Sequence, residues 1–136
     1  MELLVNIDVP DFEAARRFYL AAFPFTEGRR FGEGGLELLG ASARVYLLVK
    51  PAGSRATPGG EAVRSYDRHW TPVHLDLVVE DVEAALARAL EAGAILESPL
   101  RREVWGSIAG LADPFGNGFC LIAFTAAGYD AVASGA

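Results

Sequence analysis

The sequence predicts an α+β fold made of two similar halves, each consisting of a strand, a helix and three further strands. Residues 9–15 read VPDFEAA, and residues 79–85 read VEDVEAA, each after an alternating apolar run. The two copies are 70 residues apart in a chain of 136. Solenoid repeats have periods of about 20–50 residues and need three or more copies. The pattern therefore predicts a duplication, in which two paired modules build one site between them.

In the first half, residues 3–9 alternate and predict a strand that places Val5, Ile7 and Val9 on one face. Asp11 is expected to cap a helix that ends before Pro24, because a carboxylate accepts hydrogen bonds from free amides of the first turn. The expected buried stripe of this helix is Phe12, Ala15, Tyr19 and Leu20. The three further strands are expected at residues 25–31, 36–39 and 44–50.

The second half repeats this order. Residues 73–79 predict a strand, and residues 81–92 predict a helix that Gly93 would end. Its expected buried stripe is Val82, Ala85, Leu86, Ala89 and Leu90. The last three strands are expected at residues 95–100, 107–111 and 119–124.

We interpret residues 1–136 as one domain with modules at about 1–50 and 70–126. Residues 51–69 form the expected linker, since residues 51–67 contain Pro, Gly, Ser and charged residues without an apolar period. The small residues from Ala126 onward are expected to fray.

Composition excludes several classes of function. A net charge of −6 and a pI near 4.8 argue against a nucleic-acid surface, which needs clustered Lys and Arg. No apolar run reaches the roughly 18 residues of a membrane span, and the first residues do not resemble a signal peptide. The single cysteine, Cys120, excludes an internal disulfide and fits a reducing compartment. The expected location is therefore the cytoplasm.

The strand faces predict a cavity. If each helix covers one face of its sheet, the other face remains available for a ligand. Polar side chains are unexpected in a packed core and expected in a ligand site. The residues that would face this cavity are Leu4, Asn6, Asp8, His74, Asp76 and Val78.

Three segments carry a resemblance to a known family. They are VPD followed by AARRFY at residues 14–19, PVHLDLVVED at residues 72–81, and WG at residues 105–106 followed by LADPFGNGF at residues 111–119. In this order they resemble the vicinal oxygen chelate superfamily, which comprises glyoxalase I, bleomycin-resistance and fosfomycin-resistance proteins, and extradiol dioxygenases. The resemblance covers residues 3–124.

The resemblance implies paired βαβββ modules that form a curved, eight-stranded mixed sheet around a pocket, with the helices on the outer face. Such proteins are commonly homodimers, so a homodimer is expected. Metal-dependent members place ligands on the first and last strand of each module. Carried over to this chain, those positions hold Leu4, Tyr46, His74 and Cys120.

This ligand set argues against a metal of the family type. A divalent ion needs about three protein ligands, and only His74 is an ordinary donor, although Cys120 would suit zinc. Asp8 or Asp76 could substitute, but each is displaced along its strand by roughly 7 Å. We therefore predict no cofactor and no metal site, and leave a divalent metal open as the alternative.

The predicted ligand pocket joins the polar cavity residues to nearby aromatic ones. His74 and Cys120 are also the candidate catalytic residues, because a thiolate–imidazolium pair would form a nucleophile without a metal. His69 and Trp70, at the end of the linker, would be a lid or a dimer contact. The pocket residues are Asn6, Asp8, Tyr46, His74, Asp76, Trp105 and Cys120.

Three functions fit this sequence. The first is a metal-free binding protein of the bleomycin-resistance kind, whose small organic ligand is aromatic or, given Asp8 and Asp76, cationic. The second is an enzyme of the glyoxalase type, a lyase, isomerase or ring-cleaving dioxygenase, whose metal polarises two vicinal oxygens. The third is a pocket whose main role is assembly or regulation. The expected partner is a small molecule, with neither nucleic acid nor membrane.

Overall fold

The computed structural model describes residues 1–135, and these form two βαβββ modules in the predicted order. The first module contains β1 (Leu4–Val9), α1 (Phe12–Ala22), β2 (Thr26–Arg30), β3 (Gly35–Leu39) and β4 (Arg44–Val49). The second contains β5 (Leu75–Val78), α2 (Val82–Ala92), β6 (Ile95–Glu103), β7 (Gly106–Ala112) and β8 (Gly118–Phe124). The duplication inferred from the sequence is thus a duplication of structure.

Each module carries its own four-stranded mixed sheet. The strand orders are β1-β4-β3-β2 and β5-β8-β7-β6, which are the same order in the two modules. In each sheet the first strand pairs in parallel with the last, and the other pairs are antiparallel. The parallel pair requires a crossover, which the helix supplies. In these strand orders β1 and β5 each lie at one edge of their sheet.

The repeated sequence motif is the N-cap of both helices. Asp11 Oδ1 accepts a hydrogen bond from the Ala14 amide at 2.7 Å, and Asp81 Oδ1 accepts one from the Ala84 amide at 3.0 Å. Gly93 ends α2 with φ of 115°, a left-handed conformation that favours glycine. Both capping predictions are confirmed.

The buried faces of both helices differ from the predicted stripes: Phe18 and Ala22 of α1 are buried although they were not predicted, and Leu86 of α2 is only partly buried. In α1 the ring of Phe18 is buried, whereas Leu20 is half-buried. In α2, Leu90 is exposed to 37%. The α1 stripe was wrong because Phe18 packs against Phe115, a residue of the other module, and a single-helix pattern contains no information about that contact.

Asp113 connects the two modules. It is only 1% exposed, and its carboxylate accepts the hydroxyl of Tyr19 in α1 at 2.6 Å. The same carboxylate accepts the amides of Phe115 and Asn117 at 2.8 and 2.9 Å and the Asn117 side-chain amide at 2.9 Å. The turn from Asp113 to Asn117 is therefore structural, as predicted, and it also fixes α1 against the second module.

The C-terminal segment is partly ordered. The sequence predicts fraying from Ala126, but Gly128–Ala131 form a turn of 3₁₀-helix. The ring of Tyr129 packs 4.8 Å from that of Phe124 and 5.3 Å from that of Trp105. Aromatic contacts with β8 thus hold a segment whose own sequence is mostly small and polar.

None of the helices formed by residues 1–135 has the length and apolar character needed to cross a membrane.

We expect the Tyr19–Asp113 bond to contribute strongly to stability. Tyr19→Phe should lower the free energy of unfolding by about 1.5–3 kcal/mol, because the bond joins a hydroxyl to a buried carboxylate. Tyr129→Phe is the matched control, since Tyr129 is 52% exposed. Urea denaturation of both variants measures this difference. Equal stabilities would contradict the role assigned to Asp113.

Candidate functional site

A cleft of about 640 Å³ lies between the two modules. The edge strands β1 and β5 both contribute to its lining, together with α1 and the turn that Asp113 organises. Five aromatic residues contribute to the lining, the largely buried Tyr19, Phe23, Phe115 and Phe119 and the partly exposed Phe25. Apolar side chains of the edge strands, among them Val5, Ile7, Leu75 and Leu77, complete the lining. The site is therefore a concave and mainly apolar pocket, the usual form of a small-molecule site.

A few polar side chains also line the cleft. Asn6 and His74, both predicted pocket residues, belong to this set together with His69. Leu4, one of the positions at which the family resemblance implies a metal ligand, lines the cleft with an aliphatic side chain. The cleft thus offers a small number of hydrogen-bonding groups within an apolar surface.

Asp8 lines the cleft, but its charge is compensated. Arg64 Nε donates to Asp8 Oδ2 at 2.7 Å, and the Arg64 side chain is only 17% exposed. The Arg64 guanidinium also donates to Ser54 Oγ at 3.2 Å, which fixes its position. The expectation that Asp8 supplies a free negative charge for a cation is therefore wrong, because a linker arginine already occupies that carboxylate.

The linker lies against one end of the cleft. Arg68 donates to both carboxylate oxygens of Glu97 at 2.7 and 2.8 Å, and this pairing lowers the pKa of Glu97. A side chain at Gly116 would overlap the carbonyl oxygen of Tyr66, so the linker and the Asp113 turn approach closely. His69 reaches the cleft, whereas Trp70 is 79% exposed. The structure thus separates two neighbours that the sequence analysis treated together.

His74, Asp76 and Cys120 form a compact cluster on the open face of the second sheet. One donor atom from each lies within 4.8 Å of the other two, and His74 Nε2 is 3.3 Å from Asp76 Oδ1. Burial, the charge of Asp76 and a hydrogen bond to it raise the pKa of the Cys120 thiol. This direction is the opposite of what a thiolate–imidazolium nucleophile requires.

The position of Asp76 corrects the sequence analysis. Displacement along the strand was expected to keep Asp76 about 7 Å from the others. However, Asp76 and Cys120 are direct partners in the parallel pair of β5 and β8. The long side chain of His74 then spans the two-residue offset. Backbone spacing alone therefore overestimated the separation of the side chains.

Tyr46 belongs to a separate network on the first sheet. Its hydroxyl donates to Glu37 Oε1 at 2.9 Å, and Arg29 donates to both Glu37 oxygens, at distances from 2.6 to 3.2 Å. Glu37 is 4% exposed, and the hydrogen bonds from Arg29 lower its pKa from about 4.5 to about 2. The sequence analysis missed Glu37, although a single Glu in the apolar strand GLELL was the available signal.

Trp105, another predicted pocket residue, lies in a different place. Its ring packs 6.2 Å from Phe124 and 5.3 Å from Tyr129, in the C-terminal aromatic cluster. The aromatic residues that do line the cleft come from α1 and the segment that follows it, from the Asp113 turn and from the start of β8. The available signal was Phe115 and Phe119, which flank the glycines of the DPFGNGF segment.

A glyoxalase-like domain model matches residues 4–122, nearly the whole chain. The chain belongs to the glyoxalase-like domain family. This confirms the resemblance to the vicinal oxygen chelate superfamily. An uncharacterised protein of Mycobacterium bovis is 35% identical over 120 residues, covering 85% of this chain and 78% of that protein.

Solved structures share the fold of this glyoxalase-like domain. A glyoxalase-related enzyme from Fulvimarina pelagi superposes with a TM-score of 0.72 at 16% identity, covering 90% of this chain and 87% of that one. TioX from Micromonospora sp. superposes with a TM-score of 0.71 at 18% identity, covering 92% and 99%. At these identities the likeness establishes the fold alone.

The depressed pKa of Glu37 predicts a specific pH dependence. Between about pH 4.5 and 2 the folded state binds fewer protons at Glu37 than the unfolded state, so stability falls as the pH falls. The wild type should have a larger free energy of unfolding than Glu37→Gln. This difference should have its full size above about pH 5 and should shrink towards pH 2. Urea denaturation across this range measures it.

Glu33→Gln is the control for this experiment, because the Glu33 side chain is 79% exposed. We expect that variant to follow the wild-type pH profile. A constant difference between wild type and Glu37→Gln across the whole range would contradict the account.

Proposed function

We propose that the protein binds a small, mainly apolar aromatic molecule in the cleft between its modules. We further propose that it does so without a metal centre shared between the modules. The cleft carries this proposal: about 640 Å³ lies within the roughly 300–1,000 Å³ typical of small-molecule sites. Five aromatic side chains line it, and aromatic rings pack well against a planar ligand.

The polar groups of the cleft favour a neutral ligand. Asn6 and His74 offer hydrogen bonds to a hydroxyl or carbonyl group. Asp8, which would attract a cation, is paired with Arg64. A cationic ligand would gain little there, because its charge would be desolvated without a free counter-charge. Of the two ligand classes that the sequence suggested, the site therefore supports the aromatic one.

A metal-dependent lyase, isomerase or dioxygenase of the glyoxalase type is the weaker candidate. A metal bound between the modules would need donors from both. On the first module, Leu4 has no donor atom, and the Tyr46 hydroxyl is engaged with Glu37 and Arg29. The residues present thus do not fit a two-module metal centre. Homodimer formation and a cytoplasmic location stay predictions.

Filling the cleft should abolish binding of an aromatic probe. Val73→Trp places an indole at a residue that lines the cleft and is 79% exposed, so the fold should tolerate it. We expect the affinity for naphthylmethanol, measured by calorimetry, to fall by at least about tenfold, because the cleft loses ligand volume. Val104→Trp is the matched control, at a valine that is 70% exposed and lies outside the cleft. Equal affinities in the two variants would contradict the proposed site.

Releasing Asp8 should change the preferred charge of the ligand. In Arg64→Ala, the free carboxylate should strengthen binding of naphthylmethylammonium by about tenfold and leave naphthylmethanol nearly unchanged. Arg68→Ala is the control. It also removes one positive charge from the linker, but Arg68 pairs with Glu97 and not with Asp8. Calorimetry with both probes tests this. The same gain in both variants would show that overall charge, and not Asp8, sets the preference.

A further inference from the structure

We propose that His74, Asp76 and Cys120 form a zinc site contained within the second module. Each residue supplies one donor atom, a ring nitrogen, a carboxylate oxygen and a sulfur, and the three atoms lie within 4.8 Å of one another. These are the three kinds of ligand that zinc uses in proteins. The site is a second function of the chain, and it shares His74 with the lining of the cleft.

The spacing of the donors fits a tetrahedral ion. Two ligands at about 2.0–2.1 Å from zinc and at the tetrahedral angle are about 3.3 Å apart. His74 Nε2 and Asp76 Oδ1 are 3.3 Å apart before any ion is added. Small rotamer changes of exposed side chains are then enough to place Cys120 Sγ at the third vertex. The fourth vertex is left to water.

The backbone explains why the donors converge. Asp76 and Cys120 are direct partners in the parallel pair of β5 and β8, and His74 precedes Asp76 by two residues on the same face. The side chains of His74 and Asp76 are 52% and 38% exposed, so an ion can reach them from solvent. The site needs no residue of the first module, unlike the two-module arrangement that the family resemblance implied.

The ligand chemistry selects the metal. A thiolate with an imidazole favours zinc over magnesium or calcium, which prefer oxygen ligands. Binding would release the Cys120 proton to the buffer, and the thiolate and carboxylate together then balance the charge of the divalent ion. The corresponding row in the first module, Asn6 and Tyr46, contains no comparable donors.

Cobalt(II) is the spectroscopic probe for this site. The full-length protein, treated with a chelator, desalted and kept reduced, would be titrated with cobalt(II) and then with zinc. We expect one cobalt per chain, the intense visible bands of a tetrahedral ion, and a thiolate-to-cobalt charge-transfer band that zinc removes. The charge-transfer band should be absent in Cys120→Ser. Competition with a chromophoric chelator would measure zinc affinity.

Variants separate this site from adventitious binding. Mutation of an outer-shell partner, which only orients a ligand, already costs about 10–100-fold in metal affinity. His74 and Asp76 are direct ligands in this proposal, so His74→Ala and Asp76→Asn should each weaken zinc binding by at least about 100-fold. His69→Ala, which removes the only other histidine of the chain, should leave it unchanged. Circular dichroism would verify that each variant is folded. No charge-transfer band in the wild type, or equal losses in His69→Ala and His74→Ala, would overturn the proposal.

Naphthylmethanol binding distinguishes this proposal from the cleft proposal. The probe is tested on chelator-treated protein, in which the His74 imidazole is free to contact it. A chain that binds zinc but whose metal-free form does not bind the probe would refute only the cleft. A chain that binds the probe but not zinc would refute only the metal site.

Discussion

The buried carboxylate of Asp113 is the constraint on which the site depends. It accepts the Tyr19 hydroxyl from the first module and the amides of its own turn in the second. A buried carboxylate is stable only when its oxygens are hydrogen-bonded, so the turn and α1 must be in place together. The cleft is lined by Tyr19 and by Phe115 of that turn. The interaction that joins the modules thus also shapes the space between them.

The two modules share one architecture but carry different side chains at equivalent positions of their sheets. Asn6, Tyr46 and Glu37 form a row across the first sheet, where an arginine neutralises the buried glutamate. Asp76 and Cys120 lie in the equivalent row of the second sheet, with His74 beside them. In the first row Tyr46 and Glu37 are engaged with each other and with Arg29, whereas His74 and Asp76 of the second are exposed.

Local signals predicted the fold because each has a local cause. Asp11 and Asp81 cap helices through amides three residues away, and strand alternation reflects the two faces of a sheet. The site was less predictable because it depends on contacts between distant segments. Asn6 and His74 line the cleft as expected, but the pairing of Asp8 with Arg64 comes from a linker without a pattern. Sequence spacing also could not show that the side chain of His74 reaches Asp76.

The central claim is that an aromatic molecule occupies the cleft between the modules. Intermolecular nuclear Overhauser effects between the ring protons of bound naphthylmethanol and the methyl groups of the protein test this most directly. The account predicts contacts with Val5 on β1 and with Leu75 and Leu77 on β5, because both edge strands line the cleft. Contacts confined to exposed valines elsewhere, such as Val104, would contradict it, as would the absence of contacts from one of the two strands.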